Sequence, residues 1–409
     1  MRAKNPYRTA PGSEPPELAG RGGELGAGRY AIDMSAANEP AKPIVFTGLR
    51  GMGKTALLRR VARDARAAGG ITIVGEADRT LRFGEVMRRE LVEALTTSES
   101  LPTRLGTALG RLIDKLPKVS YDMPYEAGSI SLAGRDKSEA EDVASRDSLE
   151  DVLLVLNEQV CRHGRFLMIG LDEIQDSSAN DLLRIIRVVH KTAGTDRPVL
   201  FVGAGLPNSS SVLKAVRTYT ERWAFLRLEL LTRTETYEAV DVPARTLGAR
   251  WDQDAAEEIY ARSHGYPYFL QEFASASWIH HAGKVVTKND VVAVSAGVQR
   301  MLDESVYDRQ FAQLSPREVA FALALHSLGA GAHRPEEIAE VLGRSSSAEL
   351  GSVRVQLLKK DIIHAPARGL AEFRMPLTND YIDRRMNDFL ERAKFAKSKP
   401  GAHDPRPVR

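Results

Sequence analysis

A run of glycines around one lysine and one threonine is the part of this sequence best suited to chemistry. The stretch Gly48-Leu-Arg-Gly-Met-Gly53-Lys54-Thr55 has the spacing G-x-x-x-x-G-K-[ST], with an apolar run before it and a helical pattern after it. Glycines in this spacing let backbone N–H groups converge on phosphate oxygens without a Cβ in the way. Lys54 would bring a positive charge to the outer phosphates, and the Thr55 hydroxyl is a suitable Mg²⁺ ligand. The predicted nucleotide-binding residues are Gly48, Leu49, Arg50, Gly51, Met52, Gly53, Lys54, Thr55 and Ala56.

A second apolar run ends in two acids. The run Phe166-Leu-Met-Ile-Gly-Leu is followed by Asp172 and Glu173. A metal bound beside phosphates needs a carboxylate, and we expect Asp172 to hold Mg²⁺ together with Thr55. Glu173 would polarise the attacking water as general base, so Lys54 and Glu173 are candidate catalytic residues. The alternatives are a chance glycine-rich loop and two surface acids at the end of a strand.

Short apolar runs alternate with helical patterns along the first part of the chain. The runs are Pro43–Gly48, Ile71–Asp78, Arg165–Glu173, Pro198–Gly205 and Ala224–Leu231. They are apolar throughout, which is typical of strands in a parallel sheet covered on both faces. Helices are expected at Thr55–Ala68 and Asp181–Thr192 and from Ser148 through Cys161. The pattern predicts an open α/β sheet.

Beyond Leu231 the strands are expected to stop, and the sequence is helical with turns near Gly248 and Gly265. A further segment has three short helical patterns, two of them opened by residues at capping-box spacing, Ser315 with Glu318 and Ser346 with Glu349. Two short strands around Arg368-Gly369 follow. Three helices and then a hairpin is the order of a winged helix.

Composition excludes several classes of protein. The 409 residues include 43% hydrophobic and 27% charged residues, with a net charge of +3, which indicates no particular partner. The single Cys161 cannot form an intrachain disulfide, which fits a reducing, cytoplasmic setting. No apolar run is long enough to cross a bilayer, so no membrane partner is expected.

Taken together, the motifs resemble those of bacterial AAA+-type P-loop ATPases near the archaeal origin-recognition initiators and STAND signalling ATPases. The resemblance rests on LAGRGGEL, GLRGMGKT, LMIGLDEIQ, VGAGLP, ERWAFLRLELL and HGYPYFLQEF, and on the winged-helix order. It implies a P-loop NTPase (ASCE/AAA+) parallel sheet core with a helical lid and a C-terminal winged-helix domain. The expected domains are a lead-in with a Gly-Arg box (1–40), the α/β core (41–231, with a helix/hairpin insertion at 81–148), the lid (232–305), the winged helix (306–395) and a disordered tail (396–409).

The same resemblance implies roles for further residues. Arg21, with Glu24, would line the adenine side, and Pro267 in the turn His264-Gly-Tyr-Pro267 would pack near the base. Arg222 would be an arginine finger acting on nucleotide in a neighbouring subunit. The alternatives are a charged turn for Arg21 and an exposed helix-end arginine for Arg222. Both sensor positions depart from the family: Gly203-Ala-Gly-Leu-Pro207 lacks the usual polar residue, and YFLQEFASASW lacks the sensor arginine. Slow turnover is therefore expected.

Two functions of different kinds follow. One is an ATPase that couples Mg-ATP binding and slow hydrolysis to movement of the lid and winged helix. The other is a DNA-binding, initiator-like protein in which ATP is a structural or switch ligand, with duplex DNA held by Arg354, Lys359, Lys360 and Arg368. These cations are alternatively the solvated face of an interaction domain, which leaves an ATP-dependent scaffold for another protein as a third option. An ATP-dependent homo-oligomer is compatible with the first function.

Overall fold

The computed structural model describes residues 4–10, 12–77, 89, 138–360, 362–366, 369–375 and 377–394. The chain divides into two compact units. The core unit contains Ala10–Gly48 and Met52–Glu229, and the second unit contains the segment ending at Thr9, the loop tip Leu49–Gly51 and the chain from Leu230 onward. Most of the predicted insertion at 81–148 and all of the predicted tail at 396–409 lie outside the described residues.

A five-stranded parallel sheet forms the centre of the core unit. Its strands are β1 (Ile44–Thr47), β2 (Ile71–Glu76), β3 (Leu167–Asp172), β4 (Leu200–Gly205) and β5 (Ala224–Arg227). The strand order is β2-β3-β4-β1-β5, and every neighbouring pair is parallel. All residues of β1, β3 and β4 are buried, as expected for a sheet covered on both faces. The five predicted strands and the open α/β sheet are confirmed.

Helices cover this sheet. They are α1 (Gly22–Ala36), α2 (Lys54–Ala67), α3 (Ser138–Arg162), α4 (Ala179–Thr192) and α5 (Ser209–Val216), with short 3-10 helices at Ile174–Asp176 and Thr218–Arg222. Buried leucines and isoleucines of α3 and α4 share one apolar cluster with β2 and β3, including Leu153, Leu156, Leu182, Ile185, Ile73 and Ile169. The predicted helices at α2 and α4 are confirmed to within two residues at each end.

Two features of the core unit differ from expectation. Helix α3 begins at Ser138 rather than at Ser148. Helix α1 was not predicted, because four glycines in its sequence disfavour a helix. One of them explains why the helix nevertheless packs well: a Cβ on Gly28 would lie 2.8 Å from Val61 Cγ2 in α2. Glycine at that position lets the two helices approach closely.

The second unit begins with four helices: α6 (Arg233–Arg245), α7 (Gln253–Ser263), α8 (Pro267–His280) and α9 (Lys288–Leu302). The prediction that strands stop at Leu231 is wrong, because β6 (Arg250–Trp251) and β7 (Val285–Val286) pair in parallel. Each has only two residues, too few to show alternation in a sequence. The predicted turn at Gly265 is present, with positive φ at both His264 and Gly265.

The N-terminal segment is fixed to these helices through Tyr7. The Tyr7 side chain is 3% exposed, and its hydroxyl donates to the Val240 carbonyl at 2.6 Å. The same oxygen accepts a hydrogen bond from Trp251 Nε1 at 2.6 Å. The ring stands edge-on to Trp251 and Trp278, with 6.0 Å between centroids in each pair. Tyr7 therefore contributes to the core of the second unit.

The remaining elements follow the predicted order of three helices and a hairpin. A π-helix at Asp303–Asp308 leads into α10 (Arg309–Ala312), α11 (Pro316–Ser327), α12 (Pro335–Val341), a 3-10 turn at Ser347–Leu350, α13 (Gly351–Lys359), antiparallel β8 (Ile363–His364) and β9 (Glu372–Phe373), α14 (Thr378–Arg384) and α15 (Met386–Lys394). The capping box of Ser315 and Glu318 is confirmed. The one at Ser346 is wrong: its hydroxyl accepts from Ala348 N, and Glu349 faces Arg344 and Ser345 instead. Of the helices in the described part of the chain, none combines the length and apolar composition needed to span a bilayer.

Candidate nucleotide site

The glycine-rich loop joins β1 to α2. Gly51 and Gly53 have φ values of 74° and 90°, a left-handed backbone that side chains with a Cβ rarely adopt. Helix α2 starts at Lys54, so its N-terminal N–H groups and positive dipole end face the loop. The Lys54 side chain is 5% exposed. A turn of this shape ending on a helix N-terminus and a buried ammonium is suited to binding phosphate groups.

The side chains predicted to hold the metal lie together. The Thr55 hydroxyl donates to Asp172 Oδ2 at 2.6 Å, although the two residues come from α2 and from the end of β3. Burial raises the pKa of the Asp172 carboxyl, while hydrogen bonds from the Thr55 hydroxyl and the Glu173 N–H favour its charged form. The charge of Lys54 acts in the same direction. Oxygen donors of this kind are the ligands that Mg²⁺ prefers, so the residues present fit that ion.

Glu173 has an unusual backbone conformation. Its φ of 48° and ψ of 46° are left-handed, which is uncommon for a residue other than glycine. The conformation is supported by Asp172 Oδ1, which accepts a hydrogen bond from Glu173 N at 2.9 Å. The Glu173 carboxylate is in turn bonded to Gln175, whose Nε2 donates to Oε2 at 2.6 Å. Strained backbone of this kind is often found at functional sites.

Gln175 is not among the site residues predicted from the sequence. The residue is part of the quoted motif LMIGLDEIQ, two positions after Glu173. Its amide oxygen accepts from Leu206 N, just beyond β4, at 2.9 Å. No spacing rule predicts this contact, because it depends on the 3-10 turn that follows β3. The available signal was a glutamine two positions after a candidate catalytic carboxylate.

Arg21 is buried, whereas the alternative for this residue was a charged turn in a Gly-rich linker. Its side chain is 5% exposed, and Nη2 donates to the Glu229 carbonyl at 2.8 Å and to the Met52 carbonyl at 3.4 Å. The guanidinium therefore joins the glycine-rich loop to the chain after β5. Glu24 lies half-buried in the first turn of α1.

The loop tip contacts α8 within the second unit. The Tyr266 hydroxyl donates to the Arg50 carbonyl at 2.7 Å, and Tyr266 is 1% exposed. A Cβ on Gly51 would lie 2.3 Å from that hydroxyl oxygen. Pro267 is half-buried and is the first residue of α8, where its missing N–H costs no hydrogen bond. These residues place the aromatic side chain of Tyr266 against the loop.

Arg222 is exposed at the end of the 3-10 helix that precedes β5. Strands β1 and β5 are parallel neighbours, with Ile44 opposite Ala224 and Thr47 opposite Arg227. The glycine-rich loop follows the carboxyl end of β1, whereas Arg222 precedes the amino end of β5. The two features therefore lie at opposite edges of the sheet, and Arg222 does not join the candidate site of its own chain.

Of the four cations predicted to bind DNA, two are engaged in hydrogen bonds within the second unit. Arg354 Nη2 donates to the Leu370 carbonyl at 2.9 Å. The Lys360 ammonium donates to Glu318 Oε2 and to the Gln313 carbonyl, each at 2.8 Å. Lys359 is exposed on α13, and Arg368 lies outside the described residues. The helix α13 therefore presents a weaker positive surface than its sequence suggests.

Two regions of the chain match known protein families. Residues 17–202 match the family described as "AAA ATPase domain". Residues 304–382 match a family described as "Domain of unknown function (DUF8462)". No curated protein matches the sequence.

Several solved structures are similar to this structure. A Walker-type ATPase of Pyrococcus abyssi is 15% identical, with a TM-score of 0.53 over 92% of this chain and 99% of its own. The RuvB Holliday junction branch migration motor of Thermotoga maritima is 14% identical, with a TM-score of 0.45 over 94% of this chain and 99% of its own. Cdc6p of Pyrobaculum aerophilum is 14% identical, with a TM-score of 0.42 over 94% and 97%. At these identities a likeness bears on the fold alone, and the first supports the fold described above.

Proposed function

We propose, on the premise that residues 17–202 belong to the AAA ATPase domain family, that this protein binds Mg-ATP and hydrolyses it slowly. The expected resemblance to AAA+-type ATPases and the P-loop NTPase fold are both confirmed by that match and by the parallel sheet. The observation that carries the proposal is the 2.6 Å hydrogen bond between the Thr55 hydroxyl and Asp172 Oδ2 beside the glycine-rich loop.

Each residue of the site then has a role. The loop from Gly48 to Gly53 binds phosphate oxygens through backbone N–H groups, and Lys54 binds the outer phosphates. Thr55 and Asp172 hold Mg²⁺, which when bound neutralises charge on the phosphates. Glu173 accepts a proton from the attacking water as the water oxygen bonds to the γ-phosphorus. The bond from that phosphorus to the β–γ bridging oxygen breaks, giving ADP and phosphate.

Slow turnover has a reason in the sequence of β4. Its last residues and the one after it, Gly203-Ala-Gly-Leu206, bring no polar side chain to the edge of the sheet where Asp172 and the glycine-rich loop lie. With fewer polar groups there, the attacking water is less well oriented. Orientation of the reacting groups supplies much of the rate acceleration of enzymes. We further propose that ATP binding moves the helices after Leu231, and the hydrogen bond from Tyr266 to the Arg50 carbonyl supports a link between loop tip and helix.

Two substitutions test the proposal. Lys54→Ala should weaken ATP binding by about 100-fold or more, because the buried ammonium is lost from the outer phosphates. Glu173→Gln should bind ATP normally and lower the rate of phosphate release by about 100-fold or more, leaving a measurable residual rate. Binding is measured by titration calorimetry and turnover by a phosphate-release assay, with Lys42→Ala as a control at an exposed lysine outside the loop.

Two results would contradict the proposal in different ways. A wild-type protein that does not bind Mg-ATP would remove it entirely. A Glu173→Gln variant with wild-type turnover would leave ATP binding intact and show that Glu173 is not the general base.

A further inference from the structure

Gln175 uses both ends of its side-chain amide in the core unit. Nε2 donates to Glu173 Oε2 at 2.6 Å, and the Oε1 atom accepts from Leu206 N at 2.9 Å. The Ser209 hydroxyl lies 3.5 Å from the same Oε1, and Asp176 Oδ2 lies 3.3 Å from Nε2. The amide therefore connects the carboxylate of Glu173 to the backbone that follows β4.

The end of β4 is shaped to receive this side chain. A Cβ on Gly205 would lie 2.9 Å from Gln175 Oε1 and 2.2 Å from Ser209 Oγ. A Cβ on Gly203 would lie 2.5 Å from Cδ1 of Ile174, which is fully buried. The space that side chains at Gly203 and Gly205 would fill is thus occupied in part by side chains of the short helix Ile174–Asp176. This packing fixes where Gln175 can reach.

Glu173 is consequently restrained from two directions. Its left-handed backbone is bonded through its N–H to Asp172 Oδ1, at 2.9 Å. Its carboxylate is bonded at Oε2 to the amide of Gln175. A carboxylate has two oxygens and several lone pairs, so Oε1 keeps its capacity to accept a proton while Oε2 is held.

We infer that Gln175 is a positioning residue that fixes the Glu173 carboxylate against the end of β4 for proton acceptance from the attacking water. The inference rests on the proposed function, since it assigns Gln175 a role in the same hydrolysis. This role explains why the Gln175 amide contacts the candidate base Glu173. The adjacent end of β4 has only glycine, alanine and leucine residues and supplies no polar side chain there. Gln175 acts through the Glu173 carboxylate, which its amide contacts.

Gln175→Met tests this role, because methionine keeps the length and approximate volume of glutamine but makes neither hydrogen bond. We expect kcat for ATP hydrolysis to fall about tenfold or more, since misplacement of a general base is costly. The Kd for Mg-ATP should stay within about twofold, because no loop residue is altered. The matched control is Gln253→Met, at an exposed glutamine on α7.

A double-mutant comparison separates positioning from a structural role. If Gln175 acts only through Glu173, the pair Glu173→Gln/Gln175→Met should hydrolyse ATP no more slowly than Glu173→Gln alone. A double variant that is clearly slower, or a Gln175→Met protein with wild-type kcat, would overturn the inference. So would a loss of kcat accompanied by an equal loss of ATP affinity, because the defect would then lie in the loop.

The inference and the proposed function fail in distinguishable ways. If the wild-type protein and Gln175→Met hydrolyse ATP equally fast, only the role of Gln175 is wrong and the proposed hydrolysis stands. If the wild-type protein hydrolyses ATP no faster than Lys54→Ala does, both the proposed hydrolysis and the role of Gln175 in it are wrong.

Discussion

Arg21 binds two backbone carbonyls that are far apart in sequence. Its guanidinium donates to Met52, within the glycine-rich loop, and to Glu229, after β5. A guanidinium presents several N–H donors in a fixed plane, which a lysine ammonium cannot reproduce. The loop conformation therefore depends on a residue from which it is separated by helix α1 and strand β1.

Replacing Arg21 by alanine should weaken binding of ATP and GTP to the same extent, by several-fold. The cause is a less ordered loop, and the buried Met52 carbonyl left without this donor should also lower stability by about 1–3 kcal/mol. Nucleotide affinities are measured by calorimetry and stability by urea unfolding. Arg29→Ala, at an exposed position of the same helix α1, is the control.

A different result would restore the role implied by family resemblance. If Arg21→Ala weakened ATP binding but left GTP binding unchanged, the guanidinium would be recognising the adenine ring. An unchanged affinity for both nucleotides would mean that the carbonyl contacts do not organise the loop.

Residue spacing predicts some contacts of the site and misses others for a physical reason. The proximity of Thr55 and Asp172 follows from one motif at a strand–helix junction and another at a strand end, because parallel strands bring both to one edge of the sheet. The contacts of Arg21 and Gln175 depend on where a side chain reaches after the backbone has turned. The sequence alone does not show where the end of a side chain lies in the fold, so the contacts of both residues were found only in the structure.

Elements are predicted well where their pattern is long and poorly where packing overrides propensity. The five strands of the sheet are recognisable from apolar runs, and all residues of β1, β3 and β4 are buried. Helix α1 is not, since its glycines oppose a helix and only the close contact of Gly28 with Val61 explains them. Strands β6 and β7 are two residues each, and their pairing is set by the helices around them.

Helix α11 carries a buried carboxylate at its N-terminus that should make its domain sensitive to acid. Glu318 is 4% exposed and accepts hydrogen bonds from Lys360 at 2.8 Å and from Ser315 N at 2.7 Å. Burial by itself raises the pKa of Glu318, but the hydrogen bonds from Lys360 and Ser315 outweigh it and lower the pKa below its ordinary value. Its stabilising contribution is therefore complete above the unfolded pKa of about 4.3 and is lost as pH falls through the folded value.

Glu318→Gln should reduce the stability of this domain at pH 7 by roughly 1–2 kcal/mol and should reduce the difference between pH 7 and pH 4. The neutral amide still fills the space but no longer pairs with the ammonium. Hydrogen exchange of α11 at the two pH values measures the effect, because it reports on this helix directly. Glu340→Gln, at an exposed position of α12, serves as control. An equal loss of protection on acidification in Glu318→Gln and wild type would contradict the assignment.

At the scale of the whole molecule, the position of Arg222 bears on assembly. Because β5 runs parallel to β1, an arginine before the amino end of β5 lies at the edge of the sheet away from its own glycine-rich loop. The strand between these edges has four residues, about 13 Å of extended chain. An exposed arginine so placed can stabilise charge on a phosphate only in a second copy of the chain.

The final prediction is that two inactive variants should restore activity to each other if Arg222 acts across a subunit contact. Arg222→Ala should bind ATP with wild-type affinity and lose most of its turnover, and Lys54→Ala should lose turnover through its own loop. In a mixture, some contacts pair an intact loop with an intact Arg222, so ATP hydrolysis should reappear and rise with protein concentration. Arg227→Ala, at an exposed arginine on β5, should keep wild-type turnover as the control. Mass measurement with and without ATP should show the assembly, and a monomer under both conditions with full activity in Arg222→Ala would show that each chain works alone.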